Sequence, residues 1–238
     1  MKAIIVAAGK GNRLYPLTKD TPKPLLKING ETILEHQIQN LKNCGINEIV
    51  MVTGYQANKV ERLGGQDIKY IYNPFYEITN SLASLWLAKV EMNGDFVYLH
   101  ADVVFDRRIL EEVLKRQEDI CLVIERKKCV EEDMKVRVVS GLMKEIGKGI
   151  NLSESYGEFI GIAKFSKAGA TLLAEALEKI VRRGDLMLWF ESAIQWLIDD
   201  GHQVHTLNTG GKPWIEIDFL DDLEQARNNI YPKVGLQT

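Results

Sequence analysis

Lys2-Ala-Ile-Ile-Val-Ala-Ala-Gly-Lys-Gly-Asn-Arg-Leu14, followed by Thr21-Pro-Lys-Pro24, is the stretch that decides how this chain is read. A run of apolar β-formers ends in Ala7 and Ala8 and passes into Gly9-Lys10-Gly11-Asn12-Arg13. Small residues let backbone N–H groups approach an anion, and Arg13 and Lys23 add positive charge. Two prolines fix the backbone on either side of Lys23. The stretch reads as a strand leading into a cradle for a nucleoside triphosphate. An ordinary tight turn explains the glycines but not Arg13 and Lys23 together.

Spacing separates this loop from two common alternatives. A dinucleotide fingerprint needs glycine or alanine where Leu14 stands, and an acid where the second strand ends in Thr53-Gly54. A Walker loop needs four residues between its glycines, and Gly9 and Gly11 are separated by one. Ala7-Ala-Gly-Lys-Gly-Asn-Arg-Leu14 with Pro22-Lys-Pro24 resembles the start of the nucleotidyltransferase family that activates sugar phosphates and phosphocholine-like compounds. The resemblance extends over residues 2–230. It implies the nucleotide-diphospho-sugar transferase fold, an α/β three-layer α/β/α sandwich around a mixed, mostly parallel central sheet.

The 238 residues, 45% of them hydrophobic, suffice for a full core in one domain. A net charge of −3 argues against nucleic acid as a bulk partner. The apolar runs are strand-length, and Met1-Lys2 leads straight into a strand, so neither a membrane span nor a signal peptide is predicted. Cys44, Cys121 and Cys129 fit no metal spacing and suit reduced thiols in a cytoplasmic protein.

The first third alternates strand and helix. Strands are predicted at 2–8, 48–53, 68–72 and 95–101, with helices at 32–44, opened by a Thr32/Glu35 capping box and stopped by Gly45, and at 81–91. After residue 119 come strands at 120–125, 135–139, 141–146 and 157–165, then helices at 166–183 and 185–199. The second of these helices is expected to bury Leu186 and Trp189, leaving Trp196 for a subunit contact in a possible homodimer. A strand near 204–207, the segment 210–218 and a helix from about Asp222 close the chain. Residues 1–110 form the nucleotide half and 111–225 the acceptor half of a single domain, 1–238.

Two aspartates stand out. The apolar run 95–101 breaks at His100-Ala-Asp102, and ligands of open α/β sheets bind at the strands' carboxyl ends. In Trp214-Ile-Glu-Ile-Asp218-Phe, alternation sends Ile215, Ile217 and Phe219 to one face and Trp214, Glu216 and Asp218 to the other. The family places a magnesium-binding aspartate at each position, so Asp102 and Asp218 are the expected Mg²⁺ ligands. A solvent-facing edge strand is the alternative for Asp218. His100 reads as a supporting or packed residue.

The resemblance implies nucleotidyl transfer to a phosphate monoester, which is largely dianionic near neutrality and needs no general base. Arg13 and the amides of residues 7–13 are expected to hold the β- and γ-phosphates, and Lys23 the α-phosphate; Arg13 and Lys23 are the catalytic candidates. Asn80-Ser81-Leu-Ala-Ser84 resembles the cytidylyltransferase form of the base-contacting element, which favours CTP; a plain helix cap is the other reading of Asn80 and Ser81. For the acceptor, a small phosphomonoester or phosphonate bearing an ammonium, the candidates are Glu158, Trp189, Glu191, Trp214 and Glu216, with Lys135 and Lys148 for its phosphate. Two other functions remain open: a sugar- or polyol-phosphate nucleotidyltransferase using CTP, UTP or dTTP, and a catalytically silent nucleotide-binding regulator.

Overall fold

The computed structural model describes residues 1–234. Its elements in chain order are β1 (Lys2–Ala7), the short hairpin β2 (Lys27–Ile28) and β3 (Glu31–Thr32), α1 (Ile33–Asn43), β4 (Glu48–Thr53), α2 (Ala57–Gly64), β5 (Ile68–Tyr72) and α3 (Ser81–Leu87). There follow β6 (Phe96–His100), β7 (Val103–Phe105), α4 (Arg107–Leu114), β8 (Ile120–Glu125), β9 (Lys135–Val139), β10 (Leu142–Ile146) and β11 (Gly157–Phe165). The chain continues through α5 (Lys167–Arg182), α6 (Phe190–Asp199), β12 (His205–Asn208), β13 (Trp214–Glu216) and α7 (Leu220–Gln225).

Nine strands form one sheet in the order β5-β4-β1-β6-β11-β8-β12-β10-β9. The β5-β4-β1-β6 half is parallel. Beyond β6 the only parallel pair among the described residues is β12 with β8, so the expected "mostly parallel" sheet is parallel from β5 to β6 and largely antiparallel in the strands that follow. The reason lies in the connections: the four strands after residue 119 lack the crossover helices that parallel neighbours require.

Strand alternation divides the core between the two faces of the sheet. Ile4, Val50, Val52, Phe96, Tyr98 and Leu122 pack under α3, α5 and α6. Ala3, Ile5, Met51, Val97, Leu99 and Val123 pack under α1, α2 and α4. The result is the expected helix–sheet–helix sandwich. The Thr32/Glu35 capping box is present, and Gly45 leaves α1 in a left-handed conformation. No helix of the described residues is long and apolar enough to cross a membrane.

The helix expected from residue 185 begins at Phe190. Residues 186–188 instead run beside the start of α3, where the Leu186 and Leu188 carbonyls accept from the Asn80 and Leu82 amides. Those are helix-terminal donors that would otherwise lack a partner. Leu186 is consequently only half-buried, and Trp189 is 44% exposed. Trp196 packs on the core and carries the Arg183 guanidinium 4.3 Å from its ring centroid, so it is not the bare aromatic that a subunit contact calls for.

The pairing of β11 with β8 is interrupted once. Phe159 pairs with Ile124 and Ala163 with Leu122, so β11 carries two more residues than β8 over this stretch, and Gly161 within it takes φ +79°. The β11–β8 register shifts here, as a bulge requires. A Cβ at Gly161 would lie 2.8 Å from the His100 ring. Gly161→Ala should therefore lower stability by about 1–3 kcal/mol, the range for a side chain forced into a left-handed conformation. Urea unfolding checks this, and an unchanged midpoint would show that the bulge tolerates a side chain.

Candidate active site

The carboxyl ends of β1 and β6 open into a cleft of about 410 Å³. Its polar floor is built around Lys23. The ammonium lies 2.7 Å from Asp102 Oδ2 and 2.7 Å from Asp218 Oδ1, and the Arg13 guanidinium pairs with the other Asp218 oxygen. Each contact is positioned by backbone. Gly11, at φ +65°, lets the loop turn directly onto the Lys23 stem, where a Cβ would meet Lys23 Cβ at 3.0 Å. Leu14, fully buried, anchors the short 3₁₀ turn that presents Arg13. The antiparallel pairing of β13 with β7, extended by the Ile217 amide donating to the Asp102 carbonyl, brings Asp218 to Asp102. From the other face of the sheet, buried Gln37 donates to the His100 and Val103 carbonyls and fixes the turn between them.

The electrostatics follow from this cluster. Burial acts to lower the Lys23 pKa, but the two aspartates outweigh it and hold the ammonium above its ordinary range. Burial pushes Asp218 up, yet Lys23 and Arg13 prevail and keep its carboxyl below the usual carboxylate range. Glu216 is raised by burial and by the nearby Asp102 charge.

Beyond the aspartates the cleft continues to His100, Glu191 and Glu216. His100 Nε2 lies 3.4 Å from Glu191 Oε1, and Nδ1 lies 3.6 Å from Glu216 Oε1. His100 is thus an organising residue of the cleft and more than a packed strand position. Tyr98, two residues earlier on the same face of β6, also lines it, with Phe159 from the bulged strand. Period-two alternation from His100 and a glycine in a strand interior were the signals that could have flagged both.

Ala7, Ala8, Gly9, Gly11, Asn12, Arg13, Lys23, Asn80 and Ser81 all line the cleft. Asn80 also caps α3, accepting from the Ser81 amide, and Ser81 Oγ accepts from the Phe190 amide, so the capping reading holds alongside the lining one. Lys10 turns away to Glu77, 2.7 Å distant. Trp189, Glu191, Glu216 and Lys148 line the cleft, with the Lys148 ammonium 5.6 Å from the Trp189 ring centroid.

Three acceptor candidates are elsewhere. Lys135 is fully buried, and its ammonium donates to the Val130 and Glu131 carbonyls. Glu158 pairs with Lys127 at 2.6 Å, and burial lifts its carboxyl to about 7. Trp214 donates its indole N–H to Glu125 and packs on the core of the α1 face; the Phe219 expected there is 44% exposed. Alternation fixes which side of a strand a residue takes, but not how far along the strand the cleft extends. Ser84, the last residue of the Asn80–Ser84 element, also lines the cleft, as do Tyr76, Thr79, Glu132 and Met134, which no motif marked.

The aspartate pair suits magnesium, which takes one or two carboxylates together with phosphate oxygens and water. Asp102 Oδ1 is buried and has no hydrogen-bond partner among the described residues. An oxygen so placed beside the glycine loop is an available ligand for a hard cation. His100, Asp102 and Glu216 also offer donor atoms within 4.8 Å of one another, but an imidazole suits magnesium less well than an all-oxygen set.

Residues 2–131 match the family described as nucleotidyl transferase. The chain is 30% identical to the CTP:phosphoglutamine cytidylyltransferase of Campylobacter jejuni, over 94% of this chain and 98% of that one. It is 28% identical to the CMP-5'-(3-aminopropyl)phosphonate synthase of Streptomyces rubellomurinus, over 98% of this chain but only 39% of the relative. The solved CTP:phosphocholine cytidylyltransferase of Streptococcus pneumoniae superposes with a TM-score of 0.76 at 25% identity, covering 95% of this chain and 97% of that one. The chain belongs to the nucleotidyl transferase family. It is an enzyme of that class, which sets aside the silent regulator.

The Lys23 cluster sets an acid dependence. Because the folded Asp218 pKa lies below its unperturbed 3.8, its contribution is present above that pH and is lost as pH falls through the lowered value. In Lys23→Met, burial acts on Asp218 with only Arg13 opposing it. The urea midpoint of the variant should then fall less steeply than wild type on acidification from about pH 5 to 3; parallel curves would show that Lys23 does not hold the carboxylate down.

Proposed function

We propose that the chain is a Mg²⁺-dependent cytidylyltransferase. It moves CMP from CTP to a small amino-phosphate or aminophosphonate, phosphocholine-like or 2-aminoethylphosphonate-like, and releases pyrophosphate. The observation that carries the reading is the convergence of Lys23, Arg13, Asp102 and Asp218 beside a pocket holding two further carboxylates. The cytidylyltransferase relatives support CTP as the donor and a phosphorylated small molecule as the acceptor.

An acceptor phosphate oxygen attacks the α-phosphorus, the bond from that phosphorus to the bridging oxygen breaks, and pyrophosphate leaves in line. A dianionic nucleophile needs no base, so the chain's task is positioning and charge neutralisation. The amides of residues 8–12 and Arg13 bind the phosphate tail. Lys23 neutralises charge building on the α-phosphate, and the start of α3, with Asn80 and Ser81, borders the base. Mg²⁺, when bound to Asp102 and Asp218, supplies charge stabilisation for the phosphoryl oxygens. Lys148, with Trp189 beneath it, stands at the acceptor side.

A sugar-phosphate acceptor would set neutral hydroxyls against Glu191 and Glu216; a cationic acceptor brings a positive charge to that carboxylate pair, which has His100 between its members. Pyrophosphate release across four nucleoside triphosphates and a panel of phosphomonoesters and phosphonates tests the reading. CTP with an amino-phosphate or aminophosphonate should give turnover, and activity confined to a sugar 1-phosphate with UTP or dTTP would contradict it. Asp102→Asn should lower kcat by about 10²–10³-fold with the fold intact by circular dichroism, the scale of losing one preorganised electrostatic contact. Unchanged turnover would remove Asp102 from the site.

A further inference from the structure

Three buried polar atoms at the inner end of the cleft have no hydrogen bond among the described residues: the Tyr98 hydroxyl, His100 Nε2 and Glu191 Oε1. Buried polar atoms are nearly always hydrogen-bonded, so a cluster of exceptions facing one cavity marks where a ligand completes the set. Tyr98 is fully buried and Glu191 is 4% exposed, and both line the cleft. His100 Nε2 and Glu191 Oε1 lie at ion-pair distance, 3.4 Å, without a hydrogen bond between them, so the carboxylate oxygen can still accept one.

The aromatic groups here are arranged for packing. Tyr98 stacks on Phe190 with ring centroids 4.0 Å apart and planes 18° from parallel. Phe159 meets the His100 ring edge-on and packs against Phe190. Trp189, at the mouth, already has the Lys148 ammonium 5.6 Å from its centroid. A trimethylammonium group is recognised by open aromatic faces and donates no N–H hydrogen bonds. A primary ammonium donates three and adds a positive charge to a pocket whose two carboxylates share only His100 between them.

We infer that the acceptor's far end is a primary ammonium, and that Glu191 and the Tyr98 hydroxyl select it over its methylated counterparts by accepting its N–H groups. The inference rests on the cytidylyltransferase reading above and adds the residues that determine specificity. His100 is a positioning residue: it stands between Glu191 and Glu216, and the Gly161 bulge makes room for its ring. Glu216 supplies the second carboxylate.

The test is a homologous series of phosphoethanolamine with zero, one, two and three N-methyl groups, assayed with CTP for kcat/KM. Turnover should decline along the series, by about tenfold or more from the primary to the trimethylated member, the scale of a hydrogen bond to a charged group. Tyr98→Phe and Glu191→Gln should flatten that preference, a readout that general loss of packing would not move. Equal or faster turnover of the trimethylated member by wild type overturns the inference alone. So do variants that lower all four acceptors in the same proportion. Turnover restricted to sugar phosphates overturns the parent reading and this one with it. Thermal melts identify a variant that fails to fold; if Tyr98→Phe does, the Glu191→Gln series decides.

Discussion

One ammonium shared by two carboxylates organises this enzyme. Lys23 is separated from Asp102 by 79 positions and from Asp218 by 195, yet its nitrogen lies 2.7 Å from both. Three chain segments meet there: the turn after the glycine loop, the end of the central strand, and the ribbon formed by β13 and β7. Unpaired, the two aspartates would repel each other in a partly dehydrated floor, so the lysine is what allows them to converge. In the proposed reaction the same residue is the charge presented to a phosphate, which would tie the integrity of the site to its chemistry.

The fold supplies this convergence through its change of strand direction. Parallel strands from β5 to β6 place the glycine loop and Asp102 at one edge, where ligands of α/β sheets bind. The antiparallel strands that follow bring Phe159 and the Gly161 bulge alongside His100 and build the second half of the cleft. The bulge and the buried Gln37 hold opposite sides of the β6 terminus, so a segment that ends in polar groups keeps a defined course between two apolar layers.

The phosphate loop, the capped helices, the strands of both halves and the converging aspartates were legible because each rests on local chemistry: small residues, a capping box, a period of two, a break in an apolar run. The acceptor pocket was less so. Glu191 and Glu216 were found because they stand beside tryptophans, but Lys135, Glu158 and Trp214 carried equally suitable chemistry and lie elsewhere, held by carbonyls, by Lys127 and by Glu125. Trp189 was placed on a helix that starts after it, because the α3 amides capture the segment before it. Where a side chain finds a partner distant in sequence, its type says what it can do but not whether the cleft receives it.

The most direct measurement is manganese anomalous diffraction from crystals grown with a non-hydrolysable CTP analogue. An anomalous peak bound by Asp102 and Asp218 is expected, with the Lys23 ammonium drawn from between them toward the α-phosphate. A peak elsewhere, with Lys23 still bridging the two carboxylates beside bound nucleotide, would contradict it.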